Sequence, residues 1–596
     1  MHIAQVTKTF AVALVLVLAA TGLWAGAEAE EGSAADADKR YVTDPVTGKV
    51  YTAHEYGGSL TFVKGNDGGW IDAYKENAVS MWALVNEKLG KLDWALDRDA
   101  YPFTGGYMTP LYALRGALAE SWEQPDDTTI IINVRQGVQW HDKAPVNGRE
   151  FVATDVEHSF QRYLGLGKFA GQDPSPGGGE LTSVPWESVE ATDRYTVVFK
   201  LQEPRLRALN LILDWYQMLM QAPEVVDEHG GITDWRQGVG TGPYEMTDWV
   251  LGSSFEYTRN PNYWGFDEKW PENRLPYIEK IYGLVIVEHA TRIAGLRAGT
   301  IDYIGHPGST QIFDINQSLS LQRTHPEINQ YPWSQRSDNC AGINTTVPPF
   351  DDVRVRRAMQ MALDVDTMND SYYKGLGGTT PRGFVGRKFP AYTTLYEDWS
   401  EELKGYYSYD PAGAEALLDE AGYPRGADGI RFKTEYMHFD RFPVSWSEFM
   451  VSYWREIGVE TDILTPTQAE HTARRNAGDW ALTSDACGVD ADPMIIAPGL
   501  RSTVARSGVH DAQYDAWLDA AINASTIEEQ QELIKQMDMR YIEQHWMIWG
   551  PWAPQYNVAQ PWIMGYNGEG IIGGNTTHLV FSKLWIDSQM KEAMGH

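Results

Sequence analysis

The chain has 596 residues, 81 of them acidic and 49 basic, for a formal net charge of −32. This length calls for two or three globular units, and 43% hydrophobic residues suffice to fill their cores. The acidic excess excludes a nucleic-acid binder and a protein docked on anionic lipid, both of which need a basic face; it serves solubility.

At the N-terminus, Lys8 precedes an apolar run over 10–18, and small residues follow with Ala-x-Ala spacing at Ala25, Ala27 and Ala29. This is the layout of a secretory signal over 1–29, with a hydrophobic stretch too short to span a bilayer comfortably. A retained anchor is the other reading of the same run. No cysteine lies near the cleavage region, so a lipoprotein is not expected. The mature chain is therefore expected in the periplasm or otherwise outside the cytoplasm. Residues 30–49 are small and charged and read as a flexible leader.

Next along the chain, a first strand is predicted over 56–63, and a β-branched strand over 128–134 after the Asp126-Asp127 turn. Thr154 followed by Glu157 has capping-box spacing, and Val156, Phe160 and Tyr163 continue at helical spacing. Two strands over 188–201 meet at an Asp-containing turn. Gly240-Thr241-Gly242-Pro243-Tyr244 turns the chain into another strand. The later half changes style. A helix over 353–362 is opened by Asp351 or Asp352, and one over 411–421 has Pro411 at its start and Gly422 past its end. Further helices are predicted over 449–457, 513–522 and 527–544, with a strand over 431–436. This is a mixed α/β pattern without a repeat at fixed period.

Four stretches stand out in order. The first joins Leu118-Ala119-Glu120-Ser121-Trp122-Glu123 to Gly137-Val138-Gln139-Trp140-His141-Asp142. The second joins the Gly240 turn to Arg259-Asn260-Pro261-Asn262-Tyr263-Trp264. The third is Arg297-Ala298-Gly299-Thr300-Ile301-Asp302. The fourth is Asn344 with Pro349-Phe350-Asp351-Asp352-Val353-Arg354. Together they resemble the conserved blocks of the family 5 extracytoplasmic solute-binding proteins, the oligopeptide- and dipeptide-binding group, across essentially the mature chain. Residue by residue they read as scaffold. Gly242 and Pro243 shape a turn, Arg259 and Tyr263 pack at a strand end, and Asp352 and Arg354 cap and neutralise a helix.

The resemblance implies an α/β, two-lobed periplasmic-binding-protein fold of type II, with an extra subdomain inserted in the first lobe. It divides the chain into a first lobe of 50–75, 189–320 and 560–596, an inserted subdomain of 76–188, and a second lobe of 321–559. It implies a monomeric, non-enzymatic receptor without a cofactor. The lobes would close on a small solute, an oligopeptide in the first instance, and deliver it to an ABC permease and its ATPase.

Peptide-binding members hold the free amino group with a second-lobe Asp, just before an acidic-Pro pair. The matching stretch here is Ala486-Cys487-Gly488-Val489-Asp490-Ala491-Asp492-Pro493, and Asp490 is the counterpart across a one-residue gap. Terminating a strand is its alternative role. Cys487 stands where peptide binders carry Trp, with Gly488 beside it in the same turn. Arg475 matches an arginine near the peptide, or is a surface helix residue. Trp552, in the aromatic strand before Pro561-Trp562, is placed to line the cleft. The two cysteines of the chain, Cys340 and Cys487, both fall near these segments and are expected to pair. An oligosaccharide or opine-like solute is the alternative, on the strength of 23 Trp and 31 Tyr. No metal site is expected from 14 His that form no close cluster. No hydrolase is expected without a Gly-x-Ser-x-Gly elbow or His-Glu-x-x-His.

Overall fold

The computed structural model describes residues 40–65, 72, 74, 82–99, 101, 103, 109–305, 315–333, 340–386, 389–439, 444–484, 492–552, 554–570 and 577–596. In chain order, β1 (Tyr41–Thr43) and β2 (Val50–Thr52) form a hairpin before β3 (Ser59–Lys64). An excursion follows, through β4 (Gly90–Leu92), β5 (Leu114–Gly116), β6 (Ala119–Asp126), β7 (Thr129–Val134) and α1 (Ala153–Leu164). It continues through α2 (Gly179–Ser183), β8 (Trp186–Ala191), β9 (Thr196–Leu201) and α3 (Ala208–Asp214). The chain then runs through β10 (Tyr244–Val250), β11 (Ser254–Arg259), β12 (Lys280–Val285), β13 (Tyr303–Ile304), α4 (Ile315–Thr324) and β14 (Asn329–Trp333).

The second half opens with β15 (Cys340–Ile343), α5 (Val353–Met361), α6 (Pro411–Glu420), β16 (Phe432–Met437), α7 (Val444–Glu456) and β17 (Val459–Leu464). Next come α8 (Gln468–Ala477), β18 (Leu482–Thr483), α9 (Pro493–Ile496), α10 (Ala512–Ile522), α11 (Ile527–Glu543) and β19 (Met547–Trp549), and β20 (Gln555–Ala559) then returns to the first half.

Three sheets organise the molecule. Seven strands run in the order β10-β11-β12-β3-β13-β20-β14, five in the order β17-β16-β18-β15-β19, and four in the order β6-β7-β9-β8. In the four-stranded sheet every pairing is antiparallel, and its β7 alternates buried Ile130, Ile132 and Val134 with more exposed neighbours. Its inner face shares one core with the seven-stranded sheet, running from Leu60, Phe62 and Ile281 to Phe160 and Phe199. The five-stranded sheet has its own core, with Ile343, Met359, Tyr436, Trp454 and Leu482. There β16, α7 and β17 form a parallel crossover unit, and the Trp454 indole N–H donates to the Met359 carbonyl at 3.1 Å.

Local chemistry explains most boundaries. The Asp352 carboxylate accepts the Arg354 N–H at 2.8 Å to open α5, and Asp410 caps α6 ahead of Pro411. Gly422, at φ +91°, turns the chain just beyond α6. The start of α1 differs from the expected Thr154 cap. Here Asp155 does the capping, by accepting the Val152 N–H at 2.9 Å, and Thr154 lies inside the helix. Asp155 is fixed there by the Trp140 indole N–H at 3.1 Å and by the Arg149 guanidinium. The Gly240 turn is a close approach: a Cβ on Gly240 or Gly242 would overlap the Val85 carbonyl. His141 joins the first block to this turn, its Nδ1 accepting the Gly240 N–H at 3.3 Å and its Nε2 facing the Gly242 carbonyl at 3.0 Å. Burial pushes this imidazole down to about 4, although its bond to Gly242 pulls the other way.

Candidate functional site

The chain passes twice between the seven- and five-stranded sheets, from β14 to β15 and from β19 back to β20. The strands that flank these crossings pair side by side. β14 is antiparallel to β20, with Trp333 opposite Gln555, and β15 is antiparallel to β19, with Cys340 opposite Trp549. Backbone bonds grip the second passage. Trp552 N–H donates to Gly378 O at 2.9 Å, and Gly378 N–H donates to Trp552 O at 3.2 Å. A Cβ at residue 378 would fall on the Trp552 indole, so only glycine fits against that ring. Gln360 holds Trp549 from both sides, accepting its N–H at 2.6 Å and donating to its carbonyl at 3.0 Å. The Arg382 guanidinium lies 5.7 Å from the Trp549 ring centre. Cys340, at the start of β15, is in a disulfide, and its carbonyl accepts the Tyr436 hydroxyl at 2.9 Å.

A separate seam of side chains also joins the two halves. Arg207 follows the turn after β9 and is 12% exposed. Its guanidinium lies 3.0 Å from Glu180 Oε1 on α2, in its own half, and 3.1 Å from Asp492 Oδ1, which caps α9 in the other half. Burial disfavours the Arg207 charge, but Asp492 and Glu180 more than offset it and hold the group above its ordinary value. Glu180 is pushed up to about 7, chiefly by burial and further by Asp492, against the pull of Arg207. Nearby, Arg205 donates to Asn523 Oδ1 at 2.9 Å, and Ile495 of α9 packs against the core of the opposite half. Tyr392 also faces Arg207.

The family model described as bacterial extracellular solute-binding proteins, family 5 Middle, matches residues 113–502. The chain belongs to this family. Among its relatives, heme-binding protein A of Haemophilus influenzae is 28% identical over 496 residues, covering 76% of this chain and 81% of that protein. Periplasmic oligopeptide-binding protein OppA of Escherichia coli K12 is 24% identical over 493 residues, covering 78% and 84%. The periplasmic binding protein DppA of Helicobacter pylori, solved with the peptide STSA, superposes with a TM-score of 0.67 at 20% identity, covering 90% and 99%. This family 5 protein thus has the two-lobed periplasmic-binding-protein fold, the seven-stranded sheet marking one lobe and the five-stranded sheet the other.

Several expected site residues can now be placed. Trp552 sits in the lobe-to-lobe passage rather than in a strand; β20 begins three residues later. Arg475, on α8, is 6% exposed, so it is a buried residue and not a surface one. One of its guanidinium nitrogens donates to the Arg506 carbonyl at 2.6 Å, and the group lies 5.3 Å from the Trp480 ring centre. These contacts are all within the second lobe. Asp490, Cys487 and Gly488 lie outside the described residues. Sequence reasoning passed over Arg207 and Glu180, and used Asp492 only as part of the acidic-Pro pair. The available signal was the run Pro204-Arg205-Leu206-Arg207, two cations on a turn at a strand end. Among the described residues no group of three His, Cys, Asp or Glu is arranged to hold a metal, and no helix is long and apolar enough to cross a membrane.

Proposed function

We propose that this chain is the solute receptor of an ABC importer and that its lobes close on a peptide, without catalysing a reaction. The observation that carries the receptor reading is that the chain crosses between two separately cored sheets at two adjacent strand pairs, β14 with β20 and β15 with β19, an arrangement suited to lobes that move about those crossings. The peptide assignment draws on the likeness to E. coli OppA and to H. pylori DppA with STSA bound. In this reading Asp490 receives the peptide amino group, Trp552 lines the cleft from the passage, and Cys340 pairs with Cys487. The chain is exported by the signal over 1–29, carries no lipid anchor, and acts as a monomer that hands its solute to a permease. We place the first lobe at 50–333 and 555–596, because β14 and β20 lie in its sheet, and the second at 340–549. The inserted subdomain runs on at least to Leu201, the end of β9.

The 28% identity to the H. influenzae heme-binding protein favours a second reading, in which heme occupies the cleft. Titration calorimetry on the mature protein decides, with separate arms for a di- to pentapeptide pool, hemin, and a panel of sugars and opines. Peptide binding that is lost on Asp490→Ala is the expected result. Hemin binding alone replaces the peptide reading with the second one, and binding in the sugar and opine arm alone replaces both. No heat in any arm removes the receptor reading.

A further inference from the structure

Arg207 stands between two carboxylates that belong to different lobes. Glu180, 3.0 Å away, moves with Arg207 because α2 and α3 are part of the same core-sharing half. Asp492, 3.1 Å away, belongs to the other lobe, so this pair exists only while the lobes are together. A guanidinium has five N–H donors in a fixed fork and can serve both acids at once. Neither acid needs solute to find its place. Asp492 also accepts the Met494 N–H at 2.9 Å, which fixes its carboxylate at the start of α9. Glu180, at 19% side-chain exposure, holds the guanidinium from the first-lobe side. The apolar contact of Ile495, three residues on from Asp492, brings the same stretch of the second lobe against the first-lobe core.

We infer that Arg207 and Asp492 form an interlobe latch, which favours the closed receptor by the same factor whatever solute it holds, with Glu180 keeping Arg207 in place when the lobes part. This inference rests on the closing-receptor reading and adds to it. A bias towards closure independent of solute changes apparent affinity without changing preference. Latch variants should therefore weaken every solute equally.

Pulsed electron spin resonance between nitroxides on Thr192→Cys and Asp428→Cys, exposed sites in opposite lobes, reads the lobe separation. The full mature chain is refolded from denaturant to strip retained solute. In the unliganded chain we expect a measurable closed population. Asp492→Asn, which retains an oxygen for the Met494 N–H, should lower the closed-to-open ratio about tenfold, in line with loss of a desolvated charge pair. Arg207→Gln should do the same, and the double variant should fall no further than either alone. A fully open unliganded wild type overturns the latch, as does an Asp492→Asn distribution that superimposes on wild type, or single effects that multiply in the double variant. If Arg207→Gln fails to fold, the wild-type and Asp492→Asn arms still decide. The calorimetry above judges the receptor reading separately: a chain that binds no solute yet opens on Asp492→Asn loses its receptor role and keeps its latch.

Discussion

The lobes meet in two places built from different materials. At the crossings it is the chain itself that joins them, and the second lobe grips its own end of the second crossing with backbone bonds and close packing: Trp552 against Gly378, and Trp549 between the two ends of Gln360. At the seam the contacts are the ends of long side chains, Arg207 with Asp492 and Arg205 with Asn523. Backbone groups left unpaired in a buried place cost free energy, so a joint made from them stays made. Charged ends return to water when they part, so the seam can break and re-form. The crossing is thus fastened permanently to the second lobe, while the two halves touch reversibly at the seam.

One residue supports the loop that connects these joints, and its variant should have the largest effect. Asp538 is fully buried; it accepts the Val385 N–H at 2.9 Å and the Thr393 hydroxyl at 2.6 Å, in the stretch that also carries Arg382 and Tyr392. Burial pushes its carboxyl from the usual 3.8 up to about 7, although both hydrogen bonds pull it down. A raised acid binds its proton more tightly in the folded chain. Its contribution is therefore complete below the unfolded value and is lost as pH rises towards 7. Asp538→Asn removes this dependence. Wild type should lose on the order of 3 kcal/mol relative to the variant between pH 4 and pH 8. Denaturant titration at the two pH values measures it, and parallel curves would show that Asp538 keeps its charge at no cost.

A smaller effect is expected from Gly378→Val. The new side chain must displace the Trp552 indole, an overpacking penalty of about 1–3 kcal/mol in thermal or denaturant unfolding. A neutral result would mean that the passage yields as readily as the seam and would erase the contrast. Least of all, Arg205→Gln should cost no more than about 0.5 kcal/mol, because its bond to Asn523 is exposed. A loss as large as that of Gly378→Val would show that the seam is as rigid as the passages.

Much of this arrangement is legible in the sequence where local chemistry decides it. Asp352, Pro411 and Gly422 mark helix ends because caps act within four residues of the chain. The Gly240 turn is readable because glycine has few reasons to recur at that spacing. Legibility fails where a distant partner takes over. Trp140 and Arg149 claim Asp155 and so move the start of α1. Trp480 and the Arg506 carbonyl draw Arg475 inward, against its helix-surface pattern. Arg207, Glu180 and Asp492 come together from three separate elements, and no spacing along the chain announces them. β14 and β20 likewise pair across more than two hundred residues, so the lobe boundary is visible only once both strands are in one sheet.

The central claim, that two lobes close on a captured peptide, is tested most directly by small-angle X-ray scattering on the solute-stripped mature protein with and without the di- to pentapeptide pool at saturation. A smaller radius of gyration is expected with peptide present. Superimposable curves at a peptide concentration shown by calorimetry to saturate the site would contradict it.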